Sequence, residues 1–374
     1  MVRVAINVEQ LLQVAPGGIG RYTAELVRLL PARGVDVVPF CARHARADVD
    51  AAMRAQDLDV APVVLPLPAP LLYDAWHVLG AASPVRRVAP VDLVHAPSSA
   101  VPPTGPVPLV VTMHDAAPMV MPEGYTRRGV WFHRKGLEAA AKRARLVIAV
   151  SELAADEAVS YGHIARARIR VVLNGVDGER VPSDAVAKTR ARYGLADRPY
   201  VFWAGALQPR KNVRVLLDAF TRLDPGRYPH RLVLAGPPGW KEDEEDAAVA
   251  RGLGDRVRLP GAVPRAELFA LFAGADLYAC PSRHEGFGIP VLEAMAQGTA
   301  TVCADIPGLR ETAGDAAVFV SPDDVDGWVA ALGELLDDPA RRAALEARGL
   351  KRVETYSWDR CADQTAAVYA EALG

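Results

Sequence analysis

The sequence predicts an α/β protein that is built from two doubly wound parallel-sheet domains. Short, almost continuously apolar segments alternate with helical stretches along the 374 residues, as parallel sheets with helices on both faces require. These segments fall into two series, which a polar, turn-rich segment at 174–199 separates. A chain of this length also exceeds the usual size of one hydrophobic core. Two domains therefore explain both the pattern and the length.

Each series contains six predicted strands. The first comprises VRVAINV at 2–8, GVDVVPF at 34–40, VDLVHA at 91–96, PLVVTM at 108–113, RLVIAV at 145–150 and RIRVVL at 168–173. The second comprises YVFWAG at 200–205, RLVLAG at 231–236, RVRLPG at 256–261, ADLYACPS at 275–282, TATVCAD at 299–305 and AAVFVS at 316–321. We expect an N-terminal domain at 1–185 and a C-terminal domain at 186–356. Apolar residues at helical spacing predict a terminal helix at 357–374.

The composition argues against several classes of protein. Hydrophobic residues make up 51% and charged residues 24% of the chain, and no apolar run is long enough to span a membrane. The N-terminal residues lack a basic segment followed by a long apolar one, and the four cysteines form no CxxC pair. A formal net charge of -2 gives no general attraction to nucleic acid. We expect a cytoplasmic protein with reduced cysteines and no nucleic-acid partner.

A glycine loop follows the first predicted strand. Gly17, Gly18 and Gly20 lead into an amphipathic helix, and ligands of open parallel sheets bind beyond the carboxyl ends of the strands. Such a loop lets backbone N–H groups approach a phosphate or a sugar hydroxyl without interference from side chains. Its spacing does not match the GxGxxG fingerprint of dinucleotide-binding proteins. A simple turn of the chain is the alternative interpretation.

Two further strand ends carry polar residues. His114 and Asp115 directly follow the fourth predicted strand, where a structural histidine and a helix-capping aspartate are the alternative interpretation. Arg210 and Lys211 follow the strand that ends at Gly205. Adjacent cations of these two types suit a diphosphate, because arginine offers a planar fork and lysine a mobile charge. The alternative is a solvated basic pair.

The stretch RHEGFGIPVLEAMAQG at 283–298 joins a loop to a predicted helix. Pro290 suits the first helical position and Gly298 the position after the last, and the free amides of the helix start can bind an anion. Glu293 in the first turn would favour the helix dipole, which is its structural interpretation. That interpretation does not cover Glu285, whose carboxylate would repel an anion unless it faces a hydroxyl-rich ligand. A nucleotide sugar supplies two such rings with a diphosphate between them.

Five motifs together point to one family. PSRHEGFGIPVLEAMAQG, AGALQPRKN, PGGIGRY, the strand-end His-Asp pair and VLNGVD resemble the motifs of the retaining glycosyltransferases of sequence family 4, over nearly the whole chain. The resemblance implies a GT-B fold, in which two Rossmann-like domains face each other across a deep cleft. It also implies that the last helix crosses back to the N-terminal domain, which 357–374 can do.

The resemblance also implies roles for individual residues. Glu285 would contact the donor sugar and Glu293 the ribose hydroxyls, while Arg210 and Lys211 would bind the diphosphate. His114 would lie near the transferred sugar. The other predicted donor-binding residues are Gly17 and Gly18, which would border phosphate and acceptor, and Gly205, Val263, Gly286, Phe287, Gly288 and Ile289.

One departure from the family pattern concerns the diphosphate. Many relatives have an arginine soon after the glycine that ends the first strand of the C-terminal domain. In this chain Gly205 is followed by Ala206 and Leu207. Arg210 is therefore expected to be the sole guanidinium on the diphosphate.

The resemblance implies a retaining hexosyltransferase. It would move a hexosyl group from a nucleotide diphosphate sugar, with GDP-mannose favoured, to a hydroxyl of a glycan, lipid-linked or small-molecule acceptor. We expect no metal or other cofactor, since Arg210, Lys211 and helix amides can neutralise the diphosphate and the three Asp-x-Asp triplets do not end apolar strands. A nucleotide-sugar epimerase of the same architecture and a non-catalytic nucleotide-sugar binding protein are the alternatives. A NAD-dependent dehydrogenase is disfavoured, because the glycine fingerprint is missing.

A basic segment at 125–146 interleaves seven cations with Trp131 and Phe132. This pattern is typical of a surface that lies on anionic lipid, and it predicts peripheral association with the inner face of the cell membrane. A solvated helix with core-facing aromatic residues is the alternative. The acidic run KEDEED at 241–246 predicts a solvated loop or helix start.

Overall fold

The computed structural model describes residues 1–13, 16–238 and 251–374, so the acidic run at 241–246 lies outside the described residues. The chain divides into two compact units. The first comprises Met1–Gly175 and Trp358–Gly374, and the second comprises Val176–Ser357. The first unit thus ends at Gly175 and not at the expected residue 185, because the backbone N–H of Val176 already donates to the carbonyl of Tyr356 in the second unit, at 3.4 Å.

The first unit contains a seven-stranded parallel sheet with the order β3-β2-β1-β4-β5-β6-β7. Its strands are β1 Val2–Asn7, β2 Val35–Cys41, β3 Val63–Val64, β4 Leu93–Ala96, β5 Leu109–Met113, β6 Leu146–Ala149 and β7 Ile169–Val171. Its first helices are α1 Gly17–Leu29, α2 Arg46–Arg54, α3 Ala69–Asp74, α4 Val85–Val88, α5 Ala117–Val120, α6 Arg127–Arg143 and α7 Glu152–Ser160. All six predicted strands are present. The additional strand β3 has two residues, too few to give a periodic pattern.

The second unit contains a six-stranded parallel sheet with the order β10-β9-β8-β11-β12-β13. Its strands are β8 Tyr200–Ala204, β9 Arg231–Ala235, β10 Val257–Gly261, β11 Leu277–Cys280, β12 Thr301–Ala304 and β13 Ala317–Val320. Its described helices are α8 Ser183–Arg192, α9 Val213–Arg222, α10 Arg265–Ala273, α11 Ile289–Ala296, α12 Pro307–Ala313, α13 Val325–Asp337 and α14 Pro339–Val353. The six predicted strands are confirmed, and the two sheets confirm the predicted fold class.

The order of the strands reverses once in each sheet, and loops at such a point form the usual ligand site of an open α/β sheet. In the first unit the reversal lies between β1 and β4, and in the second it lies between β8 and β11. The central strands are mostly apolar and fully buried, as both-face coverage requires. They hold the loops that follow them on a rigid edge.

The chain ends in helix α15, Trp358–Leu373, which packs on the first unit as the resemblance implies. Its buried face joins the hydrophobic cluster that includes Val4 and Ile6 of β1. An ion pair links Glu371 to Arg170 of β7. A Cβ at Gly175 would lie 2.2 Å from the backbone nitrogen of Trp358. The close approach of the two chain segments therefore requires glycine there.

A buried polar network connects α15 to the sheet. The Tyr369 hydroxyl lies 2.7 Å from Nδ1 of His95, and Nε2 of His95 lies 2.8 Å from the Thr112 hydroxyl. The Thr112 hydroxyl lies 2.8 Å from the hydroxyl of Tyr22 on α1. Burial, followed by the unfavourable electrostatic interaction that protonation of both His95 and the nearby His114 would create, lowers the pKa of His95 from 6.5 to about 3. The network thus contains a neutral imidazole at ordinary pH.

Among the described residues, no helix is long and apolar enough to cross a membrane.

The buried imidazole leads to a prediction for the substitution His95→Gln. Below pH 6.5 the unfolded chain binds a proton at His95 that the folded chain binds only near pH 3, so the free energy of unfolding falls as the pH falls through this window. For one such proton the loss between pH 6.5 and 5 is about 2 kcal/mol. Urea denaturation at pH 7 and pH 5 should show a smaller decrease for His95→Gln than for the wild type.

The control for this measurement is His163→Asn, because His163 is exposed and has a positive φ of 53° that asparagine tolerates. Between pH 7 and pH 5 its free energy of unfolding should fall by the same amount as that of the wild type. Equal decreases for His95→Gln and the wild type would contradict the assignment of a neutral buried His95.

Candidate active site

Two loops meet at the strand reversal of the second unit. The basic loop, 205–212, follows β8, and the acidic loop, 281–288, follows β11. The backbone N–H of Arg283 donates to the carbonyl of Arg210 at 2.9 Å, and the Asn212 side chain donates to the carbonyl of Pro281 at 3.1 Å. Asn212 has a φ of 53°, a conformation that asparagine adopts more readily than most residues. The loops are therefore held together independently of any ligand.

Glu285 lies at the centre of this arrangement, with only 6% of its surface exposed. Its Oε1 accepts hydrogen bonds from Lys211 Nζ at 2.5 Å and from the Ser282 hydroxyl at 2.6 Å. Its Oε2 accepts from Arg210 Nη1 at 3.2 Å. The same arginine nitrogen donates to the carbonyl of His284 at 3.0 Å. We call Glu285, Lys211, Arg210 and Ser282 the carboxylate cluster.

The cluster keeps Glu285 ionised. Burial alone would raise the pKa of the carboxyl, but the charges of Lys211 and Arg210, with hydrogen bonds from Lys211 and Ser282, outweigh it and lower the pKa from 4.5 to about 2. Two cations face one carboxylate, so a positive charge remains for an anionic ligand. A carboxylate at this position is therefore compatible with an anionic ligand, which the sequence alone did not reveal.

Glycine is required where the acidic loop meets α11. Gly288 has a φ of 86°, and a Cβ there would lie 2.7 Å from Cδ2 of Leu309. Helix α11 starts at the next residue, Ile289, which is partly exposed, and Pro290 lies in the first turn. Glu293 is therefore past the first turn, which contains no acidic residue. The dipole interpretation of Glu293 is wrong in this respect.

Glu293 is nevertheless buried, with 6% of its surface exposed. Its Oε1 accepts a hydrogen bond from Nη1 of Arg265 at 3.4 Å, and Nη2 of Arg265 donates to Asp177 at 2.5 Å. Val263 lies two residues before Arg265 in the connection between β10 and α10. Arg265 thus links Glu293 on α11 to Asp177, and Val263 lies in the segment that leads to this arginine.

The remaining residues predicted in this unit have structural partners. The Phe287 ring packs edge-on against Tyr356, with centroids 5.6 Å apart, and its carbonyl accepts from the Thr312 hydroxyl. Gly286 is buried within the acidic loop. Gly205 ends β8, where its N–H donates to the carbonyl of Ala235 at 2.9 Å. These contacts stabilise the conformation of the two loops.

The first unit holds the other predicted residues. Gly17, with a φ of 61°, begins α1 and is exposed, as is Gly18. His114 follows β5 and donates from Nε2 to the carbonyl of Pro97 at 3.0 Å, with the Tyr22 ring edge-on at 5.2 Å. Burial lowers the pKa of His114 against the opposing effects of the Pro97 carbonyl and the Asp115 carboxylate. His114 is thus a neutral imidazole whose Nδ1 can accept a hydrogen bond.

Several acidic residues that could suggest a metal site have structural positions. Asp115 accepts from the N–H of Ala117 at 3.0 Å, as its capping interpretation predicts. Asp324 accepts from the N–H of Gly327 at 2.9 Å at the start of α13. Within the three described ranges, no group of three or more His, Cys, Asp and Glu side chains is suitably placed for a metal ion.

Sequence reasoning missed Ser282, Asp177 and Arg265 as site residues. Ser282 could have been found, because it lies between the strand end and Glu285. Asp177 belongs to the VLNGVD motif, to which no role was assigned. Arg265 follows a proline at the start of α10 and carries no local signal. Only tertiary structure brings it to Glu293.

Comparisons with known proteins agree with the geometry. The sequence model described as "Glycosyltransferase Family 4" matches residues 16–180, and that described as "Glycosyl transferases group 1" matches residues 186–352. The chain is 30% identical to the O-antigen chain mannosyltransferase B of Escherichia coli, over 94% of this chain and 95% of that one. It is 33% identical to a D-inositol 3-phosphate glycosyltransferase of Xylanimonas cellulosilytica, over 95% and 92% of the two chains.

Solved structures share the fold at low sequence identity. HepE from Anabaena in complex with UDP and glucose superposes with a TM-score of 0.78 at 19% identity, and the match covers 99% of this chain and 100% of that one. WaaG, a glycosyltransferase involved in lipopolysaccharide biosynthesis, gives a TM-score of 0.74 at 18% identity, over 97% and 98% of the two chains. At these identities the likeness establishes the fold alone.

Proposed function

Because this chain belongs to the family 4 glycosyltransferases and is itself a glycosyltransferase, we propose that it is a retaining hexosyltransferase. It transfers a hexosyl group from a nucleotide diphosphate sugar to a hydroxyl of a glycan, lipid-linked or small-molecule acceptor. The observation that carries this proposal is the carboxylate cluster, in which Glu285 lies between Lys211 and Arg210 at a strand reversal.

The cluster suits the departure of a nucleoside diphosphate. As the bond between the anomeric carbon and the phosphate oxygen breaks, its electron pair stays on the diphosphate, and Arg210 and Lys211 stabilise the growing charge. These two cations take the part that a divalent metal ion plays in other transferases, so the proposed reaction needs no metal. The acceptor oxygen bonds to the anomeric carbon from the same face, and its proton passes to the leaving phosphate oxygen.

Glu285 acts on the sugar and not as a proton donor. A carboxyl with a pKa of about 2 remains ionised at neutral pH and is a weak base. It can accept hydrogen bonds from sugar hydroxyls and stabilise positive charge that develops on the sugar ring. In the first unit, taken by itself, Nδ1 of His114 can accept a hydrogen bond, which suits the proposed contact with a sugar hydroxyl.

The donor that we propose is GDP-mannose. Its support is the mannosyltransferase of Escherichia coli, which matches over almost the full length of both chains. The similar D-inositol 3-phosphate glycosyltransferases favour a polyol or sugar hydroxyl as acceptor but do not distinguish a glycan from a small molecule. An epimerase or a non-catalytic binding protein receives no support from these relatives. Release of nucleoside diphosphate that depends on an added acceptor would separate a transferase from both.

The substitution Glu285→Gln should abolish transfer while nucleoside diphosphate still binds. The amide keeps the shape of the side chain but loses the charge that stabilises the sugar in the transition state, a loss worth about 100-fold or more in kcat. Turnover of the donor and calorimetric titration with nucleoside diphosphate measure the two properties. Glu334→Gln, which alters an exposed ion pair with Arg341, should change neither. Turnover at the wild-type rate in Glu285→Gln would refute the proposed role.

The nucleotide can be identified by thermal unfolding with GDP, UDP and dTDP at equal concentrations. A ligand at 100 times its dissociation constant adds about 2.7 kcal/mol to stability, and we expect GDP to give the largest increase in Tm. Mannose transfer from GDP-mannose should accompany it. A larger increase with UDP or dTDP would replace GDP in the proposal and leave the transferase class unchanged.

We also propose peripheral association with an anionic membrane at its inner face. Helix α6 carries exposed cations, including Arg127 and Arg134. The Phe132 ring packs against Tyr73, with centroids 5.4 Å apart, so this aromatic residue faces the protein, as the alternative interpretation holds. Apolar contact with lipid is supplied instead by the exposed side chains that neighbour α6: Leu71, Val78 and Leu79 are 58%, 61% and 74% exposed. Cations beside exposed apolar groups suit a lipid surface.

Vesicle sedimentation tests the membrane proposal. The wild type should sediment with phosphatidylglycerol-rich vesicles, and less so with phosphatidylcholine vesicles or in high salt. Arg127 and Arg134 are seven residues apart and therefore lie on one face of α6. Substitution of both by glutamate should abolish binding. The same change at the exposed Arg341 and Arg348, also seven residues apart on α14, is the matched control. Equal sedimentation of both double variants would disprove the proposed surface.

A further inference from the structure

Arg265 connects a motif without an assigned role to one of the two site carboxylates. Its guanidinium donates from Nη1 to Glu293 at 3.4 Å and from Nη2 to Asp177, of the VLNGVD motif, at 2.5 Å. The guanidinium carbon also lies 4.6 Å from the centre of the Phe269 ring. Arginine presents its donors in a rigid plane, so these three contacts fix both the position and the direction of the group.

Glu293 depends on such a partner because it is buried. Its side chain is 8% exposed, whereas that of Arg265 is 40% exposed. A carboxylate removed from water is costly unless charge or hydrogen bonds compensate. Arg265 supplies a full charge at the oxygen that it contacts. It thereby favours the ionised carboxylate, which can only accept hydrogen bonds.

The two hydrogen bonds that Arg265 donates differ in length. The contact from Arg265 to Asp177 is short, while the contact to Glu293 lies at the long end of hydrogen-bond geometry. Asp177 therefore anchors the guanidinium, and the anchored group donates one longer hydrogen bond to Oε1 of Glu293. A hydroxyl ligand can share the Glu293 carboxylate without displacing Arg265 from its anchor.

We infer that Arg265, anchored by Asp177, is a positioning residue that holds the Glu293 carboxylate ready for the two vicinal ribose hydroxyls and so selects ribonucleotides over deoxyribonucleotides. The inference rests on the proposed function, which assigns Glu293 to the ribose. It adds a role for Asp177 and Arg265 and a property of the site, discrimination at the 2′ position. A buried acceptor that is oriented for two hydroxyls discriminates against a ligand that supplies one.

Calorimetric titration of the full chain with GDP and with 2′-deoxyGDP tests the inference, with UDP and 2′-deoxyUDP run in parallel. The wild type should bind the ribonucleotide at least about tenfold more tightly. In Arg265→Gln, which keeps a polar side chain without the charge, this ratio should fall towards one. Arg265→Lys, which retains the charge, should recover part of the ratio.

The ratio separates a positioning role from a general one. Loss of fold, or of a direct contact between Arg265 and the diphosphate, would weaken both ligands equally and leave the ratio unchanged. The matched control is Arg192→Gln. Arg192 ends α8 and forms an exposed ion pair with Glu267, which lies on α10 as Arg265 does. Its ratio should equal that of the wild type.

Asp177 gives an independent test of the anchor. Asp177→Asn should lower the ratio less than Arg265→Gln does, because the arginine remains but is less firmly held. The double variant should be no worse than Arg265→Gln alone, since both substitutions act through one guanidinium. Independent, additive effects of the two substitutions would overturn the anchoring step.

The outcomes distinguish failure of the inference from failure of the proposed function. If the wild type discriminates and Glu293→Gln does not, but Arg265→Gln retains the full ratio, the inference is wrong and the ribose assignment stands. If the wild type binds both nucleotides equally, the ribose assignment of Glu293 is wrong, and the inference fails with it. Retention of the ratio in Arg265→Lys and its loss in Arg265→Gln would support the charge as the operative property.

Discussion

The interaction on which the site depends is the buried contact of Glu285 with Lys211 and Arg210. A carboxylate with 6% of its surface exposed is tolerated only because two cations and the Ser282 hydroxyl surround it. Removal of one partner of such a pair leaves an uncompensated charge, so the basic and acidic loops must fold together. The hydrogen bonds from Asn212 and from the backbone of Arg283 connect the same two loops and so support this arrangement in addition to the ion pairs.

The topology of the sheet explains why residues so far apart in sequence meet. Strands β8 and β11 are neighbours although β9 and β10 lie between them in the chain. Their carboxyl ends therefore place the basic loop beside the acidic loop, although Lys211 and Glu285 are 74 positions apart in the sequence. A parallel sheet whose strand order reverses leaves room for a ligand at this point. The residues of the two loops would not meet without the pairing of β8 with β11, so the cluster depends on that pairing.

The local sequence pattern was sufficient to predict the features that depend on neighbouring residues, above all the strands. Apolar runs gave the strands of both sheets, and β3 escaped because two residues cannot show a period. The prediction of Glu285, Arg210 and Lys211 as site residues followed from strand-end position and family motifs. Their mutual ion pairing did not, since it depends on which strands are adjacent. Arg265 had no signal at all, because its partners Glu293 and Asp177 lie 28 and 88 residues away.

The carboxylates of Glu285 and Glu293 differ in the hydrogen bonds that a ligand would have to replace. Glu285 is held by two cations that are also the proposed ligands of the diphosphate, so an arriving diphosphate competes with Glu285 for Lys211 and Arg210. Each hydrogen bond that the cations transfer to phosphate oxygens releases a carboxylate oxygen for a sugar hydroxyl. Glu293 accepts a hydrogen bond from Arg265, which also donates to Asp177, so this contact is in place before a ligand binds. Under the proposed function, donor binding would therefore rearrange the hydrogen bonds of Glu285, while the contact between Arg265 and Glu293 is present without the donor.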